Sequence, residues 1–493
     1  MIKKVIFLFL VAASLSAQDF GFGFGDEDGA GFSGAGRGIG VSISGEVSAS
    51  MVGYIDDFSE GANHIELGDI FTGRLNFSAK TSIAEGIINL NFVTQEIPVS
   101  IDEAYLRAYF GDFEITAGLR KLTWGKADSF GPLDVINPLD SSAVFTEMAD
   151  NNSLMGVKIA RPLVHMALRF GQSSKIEGVF IPYFAPHYIA TEGRWAPAQM
   201  EMLTQMEKLK DANIMIPIPQ MQPIPLNFNL QKPDDITKLD YAQAGLRFTT
   251  TIGSADIGAQ YYYGRLPQPS VSVKANINYV NNPMPPPMQI PSSADANVLL
   301  PLYNPYHQIG LDYAQVLFGF NIRAELAANI TEDLEGNDGS VYNPSIAWSL
   351  GFDRDVIWGI NLNLQVNESI RLLHDKLGNI SMSDMANIFS SGDMSNMMSV
   401  MTGNIDIESG SPLTSTRLTA TVTRRFLRDQ LEIRAAVVWG IEDKDCAILP
   451  ALIWTKEDLR VALSGGFFMG DEEGQLGQYK DNNFIKVALT YMF

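Results

Sequence analysis

Alternation of apolar and polar residues constrains this chain most, because it recurs from residue 39 to the end of the 493-residue sequence. In 360–367 four aliphatic side chains alternate with Asn and Gln, and 320–326 and 431–437 repeat the pattern with Asn, Arg and Glu. A period of two indicates a β-strand with one apolar and one polar face. Because the polar positions carry charges and amides in segment after segment, the polar face is predicted to line a water-filled space.

The connections between these segments alternate between short and long. Tight turns are predicted at 82–84, 111–112, 171–174, 253–254, 318–319, 353–356, 427–429 and 456–458, and the main loops at about 123–152, 186–237, 265–303 and 369–411. This asymmetry is typical of an outer-membrane barrel. We predict an all-β fold, a single transmembrane antiparallel β-barrel of about 18 strands with short periplasmic turns and long extracellular loops. The count treats 153–170 as one strand despite Pro162, because a break there would spoil the even parity and the sidedness of the loops, and 16 strands stays open as the nearest alternative.

Both ends of the chain support export to an outer membrane. Residues 1–17 have the charged, apolar and small-residue order of a signal peptide cleaved near residue 17. The Gly/Phe-rich segment 18–38 is predicted to be a periplasmic lead-in or a plug, and 39–493 the barrel. The last strand places Tyr491 and Phe493 on its apolar face, which resembles the signal read by the barrel-assembly machinery. The predicted location is the outer membrane of a diderm bacterium, in contact with its lipid.

Several classes of function are disfavoured. A net charge of −21 argues against nucleic-acid binding. The five histidines come without an H-x-x-x-H or nucleophile-elbow pattern, and one cysteine, Cys446, excludes a cysteine metal cluster. We therefore predict no enzyme activity, no cofactor and no metal. The Met-rich segment 381–401 is interpreted as adaptable apolar packing rather than a Cu(I) site.

The long loops are unusually apolar. We expect a short helix at 196–213, and Pro-rich segments after it and at 281–291 that are too rich in proline to join a strand ladder. Apolar loops outside a membrane must be covered by each other, by a partner or by a hydrophobic substrate. The apolar loops therefore favour a small hydrophobic molecule as the cargo.

The hairpin 101–121 carries opposite charges on its polar face. Arg107 and Arg120 are predicted to project into the lumen, with Glu103 and Glu114 nearby. Opposed charges across a pore set ion selectivity. The alternative is that they neutralise one another and brace the barrel wall.

The stretch after this hairpin carries the most specific motif. EAYL at 103–106, WGKAD at 124–128 and DVINPLD at 134–140 resemble a large, mostly uncharacterised family of proteobacterial outer-membrane proteins, classified as a domain of unknown function. The resemblance implies transport of hydrophobic or lipid-like molecules beside periplasmic partners and RND-type exporters, not catalysis.

We expect this stretch to form a constriction. Trp124 is predicted to anchor the strand end at the outer membrane interface. The chain from 125 to 140 would then fold inward, turn at Asn137-Pro138, and be pinned by an ion pair between Lys126 and Asp128. The predicted constriction residues are Arg107, Arg120, Trp124, Lys126, Asp128, Asp134, Asn137 and Asp140.

The predicted function is an outer-membrane channel that passes a small hydrophobic or lipid-like molecule through a lumen narrowed by 123–152. The first alternative is a general porin for hydrophilic solutes. The second is a surface-exposed adhesin or scaffold.

Overall fold

The structure is a computed structural model that describes residues 39–55, 65–66, 71–93, 99–197, 200, 214–216, 222–232, 235–282, 288–373, 407–408 and 411–493. The strands are β1 (Gly40–Tyr54), β2 (Ile65–Glu66), β3 (Phe71–Lys80), β4 (Ala84–Phe92), β5 (Val99–Phe110), β6 (Phe113–Arg120), β7 (Arg161–Phe170), β8 (Ser174–Ile181), β9 (Ile214–Ile216), β10 (Ile224–Gln231), β11 (Gln243–Ile252), β12 (Ala255–Arg265), β13 (Ser270–Asn282), β14 (Met288–Leu302), β15 (Pro305–Leu317), β16 (Phe320–Thr331), β17 (Ser345–Asp355), β18 (Ile360–Arg371), β19 (Thr414–Phe426), β20 (Leu431–Gly440), β21 (Asp445–Lys456), β22 (Leu459–Gly470) and β23 (Phe484–Met492). Among the fully described segments, the α-helix α1 spans Val144–Asn151, and short 3-10 helices span Leu239–Tyr241, Ile357–Gly359 and Gly477–Tyr479.

Eighteen of these strands close into one antiparallel barrel, as predicted. Each barrel strand pairs with its neighbour along the chain, and β1 closes the ring by pairing with β23 from Glu46–Met492 to Tyr54–Phe484. Tight turns join the strands at the end where β1 begins and β23 ends, and the long connections lie at the other end. The short two-residue β2 pairs with β1.

The alternative count of 16 strands is wrong, because 18 strands form the barrel. Pro162 lies inside one strand, β7, as predicted, and pairs with Leu119 of β6. Proline is tolerated there because it is the second residue of the strand, next to the long connection. Residues 153–160, which we assigned to the same strand, belong to that connection instead.

The outside of the barrel is apolar. Leu106, Leu246, Ile309 and Leu463 are among many large aliphatic side chains that are roughly half exposed or more and alternate with buried or lumen-facing polar residues. A closed barrel satisfies its backbone hydrogen bonds internally, so with such a surface it is suited to cross a membrane. No helix within the described ranges has the length and hydropathy to span a membrane.

Two long connections build a second sheet outside the barrel, with the order β13-β14-β10-β9 and with β14 parallel to β10. Our expectation that proline keeps these segments out of a ladder is therefore wrong for Pro225 and Pro291, which pair with Met215 and Tyr279. Pro225 precedes the first β10–β14 pair, and Pro291 lies at a register shift, so neither has to donate in a regular ladder.

Several predicted segments lie outside the described residues. These are the signal peptide and lead-in 1–38, the Met-rich segment 381–401, residues 283–287 of the second Pro-rich segment, and most of the expected helix at 196–213.

Candidate functional site: a loop folded across the lumen

Residues 121–160, which connect β6 to β7, lie inside the barrel and contact its far wall. We call them the inserted loop. They include α1 and most of the predicted constriction residues. The wall contacts fall into three groups: a carboxylate on β16, a row of amides on β12, β15 and β18, and a basic cluster on β20, β22 and β23.

Glu325 of β16 holds the first part of the inserted loop. Its carboxylate accepts the backbone N–H groups of Lys126, Ala127 (2.7 Å) and Leu133 (3.3 Å), and the residue is almost fully buried. The chain comes this close because a glycine stands on either side of the carboxylate. Gly125 has a φ of +96°, and a Cβ at Gly131 would lie 2.7 Å from Glu325 Oε2.

For residues 128–133, side-chain amides of the barrel wall supply the hydrogen bonds that a neighbouring strand would otherwise make with the backbone. Gln365 accepts the N–H groups of Asp128 (3.0 Å) and Ser129 (3.2 Å), and its own amide donates to the carbonyl of Phe130 (3.1 Å). Gln308 and Gln260 donate to the carbonyls of residues 132 and 133 at 2.9 and 3.0 Å. The buried backbone of an irregular segment needs such partners, because unpaired polar groups there are costly.

The charged side chains of the motif reach the wall rather than each other. Lys126 Nζ lies 3.5 Å from Asp312, and Asp128 pairs with Arg323 and accepts from Asn363 at 2.8 Å. Our prediction of a Lys126–Asp128 ion pair is therefore wrong. The two side chains are held apart because the loop backbone between them is already bound to Glu325 and Gln365.

The helix α1 docks on another part of the wall, formed by β20, β21 and β22, where a stretch of the lumen face is apolar. Val144, Met148 and Ala149 are buried in one cluster that includes these lumen-facing wall residues: Ala436, Val438, Ala447, Leu449 and Phe468. Such contacts remove apolar surface from water on both partners. The helix is therefore attached by packing as well as by hydrogen bonds.

The C-terminal end of α1 meets four polar wall residues. Arg434 and Arg460 donate to the carbonyls of Ala149 (2.6 Å) and Asp150 (2.8 Å). Ser464 and Lys486 lie 2.5 Å from the two carboxylate oxygens of Asp150. Cations at a helix C-terminus match the direction of the helix dipole.

The base of the inserted loop is closed by Asn137. Its side chain accepts the N–H of Leu122 (2.7 Å) and donates to the carbonyls of Arg120 (3.0 Å) and Ile159 (2.9 Å), so it ties the two ends of the loop together. Asp134 pairs with Lys158 at 2.6 Å. The Asp140 carboxylate accepts the N–H of Ser142, just before α1.

Trp124 is buried inside the lumen, where it packs in a cluster with Leu122, Ile136, Tyr262 and Tyr306. Our placement of Trp124 at the outer membrane interface is therefore wrong. The indole lies against Gly245, where a Cβ would be 2.7 Å from the ring. The chain turns inward two residues after the strand rather than after Trp124, so the ring follows it into the barrel.

The predicted lumen charges pair with neighbouring strands. Arg107 lies 3.5 Å from Glu85, and Glu114 lies 3.3 Å from Arg169. Glu103 accepts the Lys121 N–H at 2.8 Å and the Asn89 amide at 3.0 Å. Tyr491 and Phe493 lie elsewhere, with exposed rings on the outside of the closing seam.

The inserted loop divides the lumen unequally. At its level most lumen-facing polar residues from β6 to β22 are buried, although Arg120 of β6 and Asn363 and Asn367 of β18 are partly exposed. The buried residues include Thr116, His165, Gln260, Gln308, Glu325, Ser349, Gln365, Thr421 and Ser464. The lumen-facing residues of β1, β3, β4 and β5, such as Glu46, Arg74, Asn76, Asn89 and Tyr105, remain partly exposed. We call this accessible wall, together with Arg120 at the end of β6, the open sector.

Sequence reasoning did not find Glu325, Gln365, Asp150 or Arg434. In the sequence, the wall residues Glu325, Gln365 and Arg434 look like any other polar residue at a lumen-facing position. The signal that points to Glu325 is on the loop, where two glycines flank the segment it binds. Asp150 lies in the predicted loop 123–152, and neither it nor the helix α1 was predicted from the sequence.

A titratable contact joins the inserted loop to the connection after β8. His187 Nδ1 accepts the N–H of Leu139 at 2.8 Å, and burial lowers the pKa of His187 from 6.5 to about 4. Between pH 6.5 and pH 4, His187 is protonated to a greater extent in the unfolded loop than in the folded loop. The contribution of neutral His187 to the stability of the folded loop is therefore fully present above pH 6.5. It is lost as the pH falls towards 4, by up to about 3 kcal/mol.

We expect the Leu139 amide to lose hydrogen-exchange protection, corrected for intrinsic rates, between pH 7.5 and pH 5. In His187→Asn the amide oxygen can accept the same hydrogen bond without titrating, so its protection should not change with pH. Equal pH dependence in both proteins would contradict the role of His187.

Comparison with known proteins gives only distant structural matches. No protein-family model and no curated protein matches the chain. The solved structures that resemble it include the outer membrane channel DcaP of Acinetobacter baumannii (9% identity, 92% of this chain and 98% of that chain, TM-score 0.38) and OccK9 of Pseudomonas aeruginosa (7%, 92% and 97%, 0.46). Another is Wzi of Escherichia coli, a carbohydrate-binding β-barrel involved in capsule assembly (9%, 92% and 84%, 0.43). Similarity at this level carries no information on substrate or function.

Proposed function

We propose that this protein is an outer-membrane channel that passes a small solute along the open sector, past the inserted loop. One observation carries the proposal: at the level of the inserted loop, most lumen-facing side chains are buried on β7 to β22, whereas those on β1, β3, β4 and β5 and Arg120 at the end of β6 are partly exposed. A barrel completely filled by the loop would bury the lumen-facing side chains of all strands at this level. A wide pore would expose them.

The membrane location is supported by the barrel itself. Its outer surface is apolar, its sheet is closed, and short turns lie at the end that carries both termini of the barrel. Closed antiparallel barrels with this asymmetry are built for outer membranes. Insertion by the barrel-assembly machinery, an RND-type or periplasmic partner, and the absence of enzyme activity stay predictions.

The described wall of the open sector favours a hydrophilic solute. It carries an Arg74–Glu46 ion pair whose side chains are about 40% exposed (42% and 39%), together with Asn76, Asn89 and the Arg107–Glu85 pair. Water and small polar molecules match such a surface. The hydrophobic or lipid-like cargo suggested by the apolar loops and by the family resemblance stays a prediction, and the Met-rich segment 381–401 on which it depends lies outside the described residues.

Cysteine labelling during current recording tests the route. In a Cys446→Ser background, which has no cysteine, Asn76→Cys should react with a positively charged methanethiosulfonate reagent and lose current. The matched variant Ser349→Cys, on the buried part of the wall, should conduct normally and not react. Reaction at residue 349 but not at residue 76 would place the route elsewhere.

Conductance also separates the solute classes. Reproducible open-channel current in KCl would support the hydrophilic route. Near-zero conductance of folded protein, together with transfer of a hydrophobic probe between vesicles, would instead favour the hydrophobic conduit and contradict our proposal.

A further inference from the structure

We propose that Arg120 and Arg107, on either side of the Tyr105 ring, form a subsite for the carboxylate of a small organic acid in the open sector. This inference rests on the proposed function and names the solute class that the channel selects.

Arg120 lies at the base of the inserted loop. It is the last residue of β6, so the inserted loop leaves the wall directly after it. Its guanidinium carbon lies 5.2 Å from the centre of the Tyr105 ring, and that of Arg107 lies 5.7 Å from the same ring. Two cations therefore flank one aromatic side chain that faces the open sector.

Arg120 differs from the neighbouring lumen cations in having no carboxylate within 4.0 Å among the described residues. Five basic residues of the same wall have one, in these pairs: Arg74–Glu46, Arg107–Glu85, Lys121–Asp102, Arg169–Glu114 and Lys175–Glu177. Arg161 also lacks one, but it is buried and donates to the Tyr183 carbonyl.

The carboxylate that faces Arg120 in the strand register makes its hydrogen bonds elsewhere. Glu103 follows in register from the Ala104–Leu119 pair and so stands opposite Arg120, but its two oxygens accept from the Lys121 N–H and the Asn89 amide. Arg120 donates instead to His165 Nδ1, at 3.3 Å.

This contact leaves most of the guanidinium available. The guanidinium can only donate, so Nδ1 of His165 accepts, and Nε2 of the same ring donates to Glu177 at 3.2 Å. A guanidinium has five N–H donors, and one of them is used here. The remaining donors form the planar fork that binds a carboxylate through two hydrogen bonds.

A singly charged carboxylate fits better than a phosphate. Glu85 and Glu103 lie on the adjacent strands of the same wall and repel a second negative charge on the solute. A planar monoanion can be bound by the Arg120 fork with less of this repulsion.

Calorimetric titration of the folded protein in detergent tests the subsite without requiring conduction. Benzoate should bind, and benzyl alcohol, its neutral analogue, should not. Arg120→Gln should weaken benzoate binding by about tenfold or more. Arg169→Gln, which removes a lumen arginine near the turns, should bind as the wild type does.

Arg120→Lys covers the case in which the glutamine variant does not fold. It keeps the charge and loses the fork, so we expect weaker benzoate binding in protein whose heat-modifiable gel mobility shows a folded barrel. Unchanged benzoate affinity in either folded variant, or inorganic phosphate binding at least as tightly as benzoate, would overturn the proposal.

Current recordings separate this inference from the proposed function. Benzoate should reduce the KCl current of the wild type, and Arg120→Gln should need about tenfold more benzoate for the same reduction. Benzoate binding without current would leave the subsite standing and refute the channel. Current without benzoate binding would refute the subsite and leave the channel standing.

Discussion

Replacement of Glu325 by alanine is expected to increase single-channel conductance and to add frequent transitions between current levels. The carboxylate accepts three backbone N–H groups of the inserted loop, and its removal leaves them without an acceptor in a buried place. An unsatisfied buried donor costs about 1–3 kcal/mol, so the segment 125–133 should leave the wall for part of the time. Conductance in planar bilayers measures the result.

Glu335→Ala is the matched control, because it removes one carboxylate from the connection after the same strand without touching the inserted loop. It should conduct as the wild type does. If Glu325→Ala and Glu335→Ala had the same conductance and noise, Glu325 would not hold the loop.

The second large effect is expected at the C-terminal end of α1. Asp150→Ala removes the partner of Lys486 and of Ser464, both on the lumen wall. Loss of one partner from a largely buried ion pair costs about 3 kcal/mol, because the remaining charge stays desolvated. The helix should detach more often, and trypsin should cleave the loop at Lys126 faster than in the wild type.

Glu147→Ala provides the comparison on the same helix, because the Glu147 carboxylate accepts a hydrogen bond from Asn151, within the loop itself. Its cleavage rate should remain close to that of the wild type. Equal protection of Lys126 in the two variants would show that the apolar packing of α1 holds the helix without Asp150.

Much of the barrel is predictable because its pattern is local. The two faces of a strand differ in polarity, so the alternation in 360–367 is enough to predict β18, and the lengths of the connections give the sidedness. The inward fold of 125–140 is also expected, since a turn signal and several polar residues follow a strand end directly.

The partners of the inserted loop are not predictable in the same way. Glu325 and Gln365 occupy positions that any lumen-facing polar residue would fill, and their role depends on a segment about 200 residues earlier in the chain. Trp124 shows the opposite difficulty. An aromatic residue near a strand end suits a membrane interface and a lumen cluster equally well, and only the path of the backbone decides between them.

The apolar lumen face of β20 and β21 has a consequence for biogenesis. Between the levels of Arg434 and Asp445, these strands carry apolar side chains on the lumen face as well as on the outside, at Ala436, Val438, Ala447 and Leu449, so until α1 packs there this patch of the wall is exposed to water. We therefore expect the inserted loop to stabilise this part of the wall while the barrel assembles. A chain lacking α1 should accumulate as an unassembled periplasmic species rather than as a wider pore.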